Sequence, residues 1–247
     1  MKESLPHGIF ITGTDTGVGK TVITAALAWT LKRAGRDVAA LKPVQTGTEQ
    51  SGPTDIDFVQ NVLGTKYGID DVCPYRFPKP LAPLVASEIA GEKIDTRKIR
   101  KACDRLESVH DIVLVEGAGG LLVPILEDYL MSDLASDLDL PLLIVVRPGL
   151  GTLNHTLLTV ESARARGLEV LGIVINNFPQ DPGIAERTNP GLITAMSGVP
   201  LLGVYPSDPA LSVEKNNPGN IRETAPSALA PLFGGTFNKT EFLSGLS

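Results

Sequence analysis

Cysteine is scarce in this 247-residue chain: Cys73 and Cys103 are the only two, they lie far apart, and no C-x-x-C pair occurs. A disulfide framework and a cysteine-held zinc site are therefore not expected, and a reducing cytoplasm is the expected setting. Excess positive charge is missing as well. With 22 Lys and Arg against 28 Asp and Glu the net charge is -6, and no basic run offsets it, so a nucleic-acid partner has no electrostatic footing. Apolar runs are short. Residues 140–146 form one of the longest, far below the ~20 residues that a membrane helix needs, and the opening MKESLPHG has no apolar signal-peptide core. The expected molecule is soluble, with no membrane partner. Nucleophile elbows and Cys/His constellations are absent, and His7, His110 and His155 are scattered without ligand spacing. Each histidine is assigned to the surface or to local packing, and the expected partners are small molecules.

What is present is apolar content, 43% of the chain, enough for one sizeable α/β domain spanning 1–247. Apolar, β-branched runs at 9–12, 38–41, 112–115, 142–146, 170–175 and 201–204 read as buried parallel strands. Helical patterns lie between or after them at 21–34, 55–63, 96–108, 153–166 and 191–196. Such alternation predicts right-handed crossovers and a doubly wound, mostly parallel sheet with helices on both faces. Ligands then collect at the carboxyl ends of the strands. The tail, 216–247, is rich in Pro, Gly, Asn and Ser and gives little to read.

The first strand empties into a glycine-rich loop, GTDTGVGKT at 13–21, followed by a helix. Backbone N–H groups of such a loop turn inward around a phosphate, the Lys20 ammonium reaches the outer phosphates, and the Thr21 hydroxyl can hold Mg²⁺. The usual spacing would put a glycine where Thr14 stands. Gly13 comes one place earlier, which makes this a variant of the phosphate loop of NTPases. Lys42 follows the second strand and precedes Pro43, so it should project beside that loop and neutralise more anionic charge. Thr46 and Gly47 continue the same segment. Glu116 ends the third strand and enters Gly117-Ala118-Gly119-Gly120, a turn so poor in side chains that something must approach its backbone closely. A carboxylate there is a good Mg²⁺ ligand, shared with Thr21 and one further acid. Asp55 is the candidate, with Thr54 as cap of the following helix and Asp57 as a rival ligand. Asp15 stands where partition and septum-positioning ATPases carry a signature lysine, so a trans-acting switch lysine is not expected.

Five segments together carry a resemblance: GTDTGVGKT at 13–21, KPVQTG at 42–47, VEGAGGLLVP at 115–124, LGTLNH at 150–155 and VINN at 174–177. They resemble the dethiobiotin synthetases of biotin biosynthesis, over a stretch from residue 8 to about 206. The resemblance implies ATP- and Mg²⁺-dependent ring closure, in which 7,8-diaminononanoate captures CO₂ as a carbamate. The γ-phosphate activates that carbamate as a carbamic-phosphoric anhydride, and the neighbouring amine attacks it to give the cyclic urea, ADP and phosphate. Carried to matching positions, it makes Lys42, Lys20 and Thr16 catalytic, and Gly17, Val18, Gly19, Lys20, Thr21 and Val22 the ATP phosphate cradle. Glu116, Gly117, Ala118 and Gly119 line the nucleotide, while Asn176, Asn177 and the Pro206 region read the adenine. Thr16, Lys42 and Thr46 meet the diamine. Leu150, Gly151 and Asn154 hold its carboxylate from the second subunit of a homodimer. Thr21, Asp55 and Glu116 bind the metal. Gly17 departs from members with an acidic residue there, so that side-chain contact is lost. Two other readings compete. An amide-forming relative would need a glutaminase domain for which this chain has no room, and a regulatory ATPase sits poorly with Asp15 and the acidic charge.

Overall fold

The computed structural model describes residues 6–48 and 52–246. The elements, in chain order, begin with β1 (Gly8–Gly13), α1 (Lys20–Arg33), β2 (Val38–Leu41), β3 (Val44–Thr46), α2 (Asp55–Leu63), α3 (Ile69–Val72) and β4 (Tyr75–Phe77). Next come α4 (Pro83–Ala90), α5 (Thr96–Glu107), β5 (Ile112–Gly120), β6 (Pro124–Leu126), β7 (Tyr129–Leu130), α6 (Met131–Asp137) and β8 (Leu142–Val146). The last are α7 (Thr152–Ala165), β9 (Val170–Phe178), α8 (Ile184–Ser197), β10 (Leu201–Pro206), α9 (Ile221–Ala228) and α10 (Lys239–Ser244).

All six runs read as strands pair in one parallel sheet of order β10-β9-β8-β1-β5-β2. Every residue of β1, β2 and β8 is buried, because helices cover both faces and leave no side for polar alternation. The sheet separates two apolar clusters. Ile144 and Val146 of β8 with Ile173 and Ile175 of β9 join one, under α7 and α8, while Leu143, Val145 and Val174 join the other. From β1 the chain works outward to β2 on one side and later to β8, β9 and β10 on the other. The carboxyl end of β1 is therefore the place where the winding reverses, and a crevice opens there. Among the described residues no helix is long and apolar enough to cross a membrane.

Three boundaries differ from expectation. Residues 117–120 are not a turn. β5 runs through them to Gly120, pairing with Gly13 across an irregularity in β1, because the near-absence of side chains lets the two backbones stay side by side. α8 starts at Ile184 rather than 191, since it accommodates Pro190 in its interior, a residue that reads as a helix breaker. β9 extends to Phe178 and so includes Asn176 and Asn177. The tail also holds α9 and α10. Cys73 and Cys103 are free and buried, and burial pushes both thiols up to about 12.

Candidate active site

The glycine loop leads into α1 through Gly19, whose φ of 91° lies in the left-handed region. A Cβ at that position would sit 1.9 Å from Asn176 Nδ2, so both conformation and space demand glycine. Having no side chain, Gly19 leaves the first turn of α1 uncapped, with N–H groups available to an anion. The loop is braced from β9, where Asn176 Nδ2 donates to the Val18 carbonyl at 2.9 Å. Lys20 folds back over the loop and donates to the Asp15 carbonyl at 3.3 Å. Burial, then the nearby charge of Lys42, bring its pKa down to about 8 against the opposing pull of Glu116, Asp55 and Asp15.

Strand register explains how the charged residues meet. Glu116 pairs with Ile11 of β1, and Lys42 follows Leu41, which pairs with Val115, so both side chains leave the same edge of the sheet. Lys42 Nζ lies 2.6 Å from Glu116 Oε1 and 2.7 Å from Asp55 Oδ2, and it donates weakly to the Gly117 carbonyl at 3.4 Å. Thr21 Oγ1 donates to the same Glu116 oxygen at 2.8 Å. Lys42 is 4% exposed and Glu116 2%, so these charges interact with little screening. Burial opposes the charge on Lys42, yet Glu116 and Asp55 outweigh it and hold its pKa above the ordinary lysine value. Burial likewise opposes ionisation of Asp55, but Lys42 draws its pKa below the usual carboxylate range.

Asp57, the rival to Asp55, is otherwise engaged. Its Oδ2 accepts from Thr54 N at 2.8 Å and Thr54 Oγ1 at 2.7 Å, completing a capping box at the start of α2. Capping by Thr54 is as the sequence suggested, and it turns Asp55 alone toward Lys42.

Two hollows meet on the loop and share Thr16, Gly17, Gly19 and Val22. The first, about 430 Å³, is bordered by Lys20, Thr21, Lys42, Thr46, Asp55, Glu116, Ala118 and Gly119. The second, about 420 Å³, is bordered by Val18, Asn176, Asn177 and Pro206. The fold thus gathers nearly every site residue taken from the sequence. Gly117, Leu150, Gly151 and Asn154 border neither hollow. Gly151, at φ 87°, is the uncapped start of α7, and Leu150 is 86% exposed. Sequence reading missed Gln45, Val213 and Glu214 on the first hollow and Arg147, Tyr205, Asp208 and Leu211 on the second. Four of these, Asp208, Leu211, Val213 and Glu214, follow Pro206, where no motif marks them. Larger hollows of about 850 and 660 Å³ exist elsewhere, but none of the loop residues borders them.

The donor set suits Mg²⁺. Among the described residues no group of three or more His, Cys, Asp and Glu gathers to hold a metal unaided. A hydroxyl and two carboxylates converging beside a phosphate cradle is the incomplete oxygen shell that Mg²⁺ fills with phosphate oxygens and water.

Comparison with known proteins bears on the chain as a whole. An AAA domain model matches residues 7–215. ATP-dependent dethiobiotin synthetase BioD of Bacillus subtilis subsp. natto is 44% identical over 201 residues, 81% of this chain and 87% of that protein. The protein of the same description from Rhodococcus erythropolis is 46% identical over 200 residues, 80% of this chain and 87% of that one. Among solved structures, the MinC:MinD cell division protein complex of Aquifex aeolicus superposes with a TM-score of 0.58 at 20% identity, covering 98% of this chain and 97% of that one. MinD of Pyrococcus horikoshii complexed with Mg-ADP gives 0.53 at 18%, covering 97% and 94%. At such identities these structures establish the fold, that of phosphate-loop NTPases, and nothing of the activity.

Proposed function

This chain belongs to the ATP-dependent dethiobiotin synthetase family, and from that premise we propose how its cleft closes a cyclic urea. It is an ATP-dependent ligase that forms dethiobiotin in biotin biosynthesis. The observation that carries the proposed site is the meeting of Lys20, Lys42, Thr21, Asp55 and Glu116 on the first hollow, beside the loop residues that it shares with the second.

In the proposed reaction ATP lies along the second hollow with its phosphates on the loop. The diamine occupies the first, beside Thr16, Lys42 and Thr46. One amine adds to CO₂ and, losing a proton, becomes a carbamate whose oxygens face the Lys42 ammonium. A carbamate oxygen attacks the γ-phosphorus in line as the bond to the ADP oxygen breaks. Lys20 and Lys42 balance the charge that gathers on the transferring group. The second amine attacks the carbamoyl carbon, phosphate leaves, and the urea ring is closed. No enzymic nucleophile is needed, because both reacting ends belong to one held molecule. Thr21, Asp55 and Glu116 would hold Mg²⁺, which would supply positive charge to the phosphates. Asn176, held to Val18 by its amide nitrogen, has its oxygen to offer an adenine amine, with Asn177 and Pro206 beside it. Leu150, Gly151 and Asn154, which border neither hollow of their own chain, meet the substrate carboxylate in the partner subunit of a homodimer. The uncapped N-terminus of α7 favours an anion there.

Phosphate release with ATP, Mg²⁺ and bicarbonate, measured with and without 7,8-diaminononanoate, tests the reading. Diamine-dependent release with a product of dethiobiotin mass is expected, abolished by chelation and restored by Mg²⁺. Release indifferent to the diamine would sink it.

A further inference from the structure

Tyr205 stands in β10, one residue before Pro206, and is 1% exposed. Its ring joins the main apolar cluster, a role that phenylalanine would fill as well. The hydroxyl is what needs explaining, for it is buried and meets no hydrogen-bond partner. Such a group carries its full desolvation cost unless something else supplies an acceptor. Tyr205 also borders the second hollow, alongside Val22, Asn176 and Leu211.

The groups around it do not take up the hydroxyl. Asp208 lies nearby, but its two oxygens accept from Ala210 N at 2.9 Å and Asn220 N at 2.7 Å. The Asn176 amide nitrogen is turned to the Val18 carbonyl. Burial, then the charges of Asp208 and Glu223, push the phenol above its ordinary value, so it stays a neutral donor at working pH. Phosphates are met at the other end of the cleft by Lys20. A nucleoside offers what this end lacks, since adenine N1, N3 and N7 and the ribose oxygens can each accept a hydrogen bond.

We propose that the Tyr205 hydroxyl hydrogen-bonds the nucleoside of the bound nucleotide, which makes Tyr205 a specificity-determining residue of this ligase. The proposal rests on the nucleotide reading of the second hollow. A site built to satisfy a buried donor discriminates against ligands that leave it unpaired.

Calorimetric titration of the intact protein and of Tyr205→Phe, with ATP and separately with inorganic tripolyphosphate, tests it. The expected result is ATP binding about fivefold weaker in Tyr205→Phe, the worth of one hydrogen bond. Tripolyphosphate affinity should be unchanged, and the melting temperature equal or higher, because the unpaired hydroxyl is gone. Equal ATP affinity in the two proteins overturns the proposal and leaves the nucleotide reading standing. A parallel loss for both ligands also overturns it, since the change then acts through the fold or the loop. Failure of the parent to bind ATP overturns the nucleotide reading and this proposal together.

Discussion

Lys42 is the residue on which the cleft turns, because it is the cation between two carboxylates that would otherwise repel each other. Lys42→Met keeps the length of the stem and removes the charge. Urea denaturation without metal should show a loss of about 3 kcal/mol, since breaking a buried pair strands its partners. Added Mg²⁺ should recover part of it, and unchanged stability would refute the account. Lys20 makes a different prediction. Its charged form is disfavoured in the folded protein, with a pKa of about 8 against 10.5, so its contribution to stability rises as pH climbs from 8 toward 10.5. Phosphate demands the opposite state. Nucleotide binding should therefore draw roughly half a proton onto the protein at pH 8 and almost none at pH 6.5, read from titrations in buffers of different ionisation enthalpy. Absence of uptake at both pH values would contradict the assignment. Lys20, Lys42 and Glu116 were legible in the sequence because each adjoins a strand end or a glycine run. The choice between Asp55 and Asp57 was not, since both fit the first turn of one helix and only the capping bonds separate them.

Among the elements, α2 aims its N-terminal acid by means of its cap. Thr54→Ala should lower stability by about 1 kcal/mol, seen as a lower urea midpoint, and should raise the Mg²⁺ concentration needed for turnover as Asp55 loses its fixed direction. A variant with the lower midpoint but unchanged Mg²⁺ dependence would separate the cap from the site. The helices read from periodicity appeared within a residue or two, except α8. There the sequence pattern started at 191, and residues 184–190, Pro190 among them, proved helical because packing overrode the local signal. The short pairs β3 with β4 and β6 with β7 escaped notice for a related reason. Strands of two or three residues hold no period, and their existence depends on a partner distant in sequence.

At the scale of the whole molecule, the start of α7 lies outside both hollows of its own chain. Leu150 is exposed and opens the α7 segment assigned to a partner's substrate, while the exposed Leu122 and Leu158 border a hollow with Thr14, Asp15 and Thr16 of the loop. Leu150→Asp should leave the fold and ATP binding intact, lower the mass seen by light scattering to that of one chain, and raise the KM for the diamine at least tenfold. A dimeric variant with normal KM would remove that assignment. The sequence by itself determined the class of the sheet, its six strands and the phosphate loop, because these depend on apolar runs, glycines and a Gly-Lys-Thr triplet contiguous in the chain. Only the tertiary structure decided that Thr21, Lys42, Asp55 and Glu116 share one contact, that Asp57 stays in its cap, and that Tyr205 borders the second hollow. Those facts are matters of register and direction among residues distant in the chain, as Thr21 and Glu116 are at 95 positions apart. No local pattern encodes such meetings; packing of the sheet fixes them.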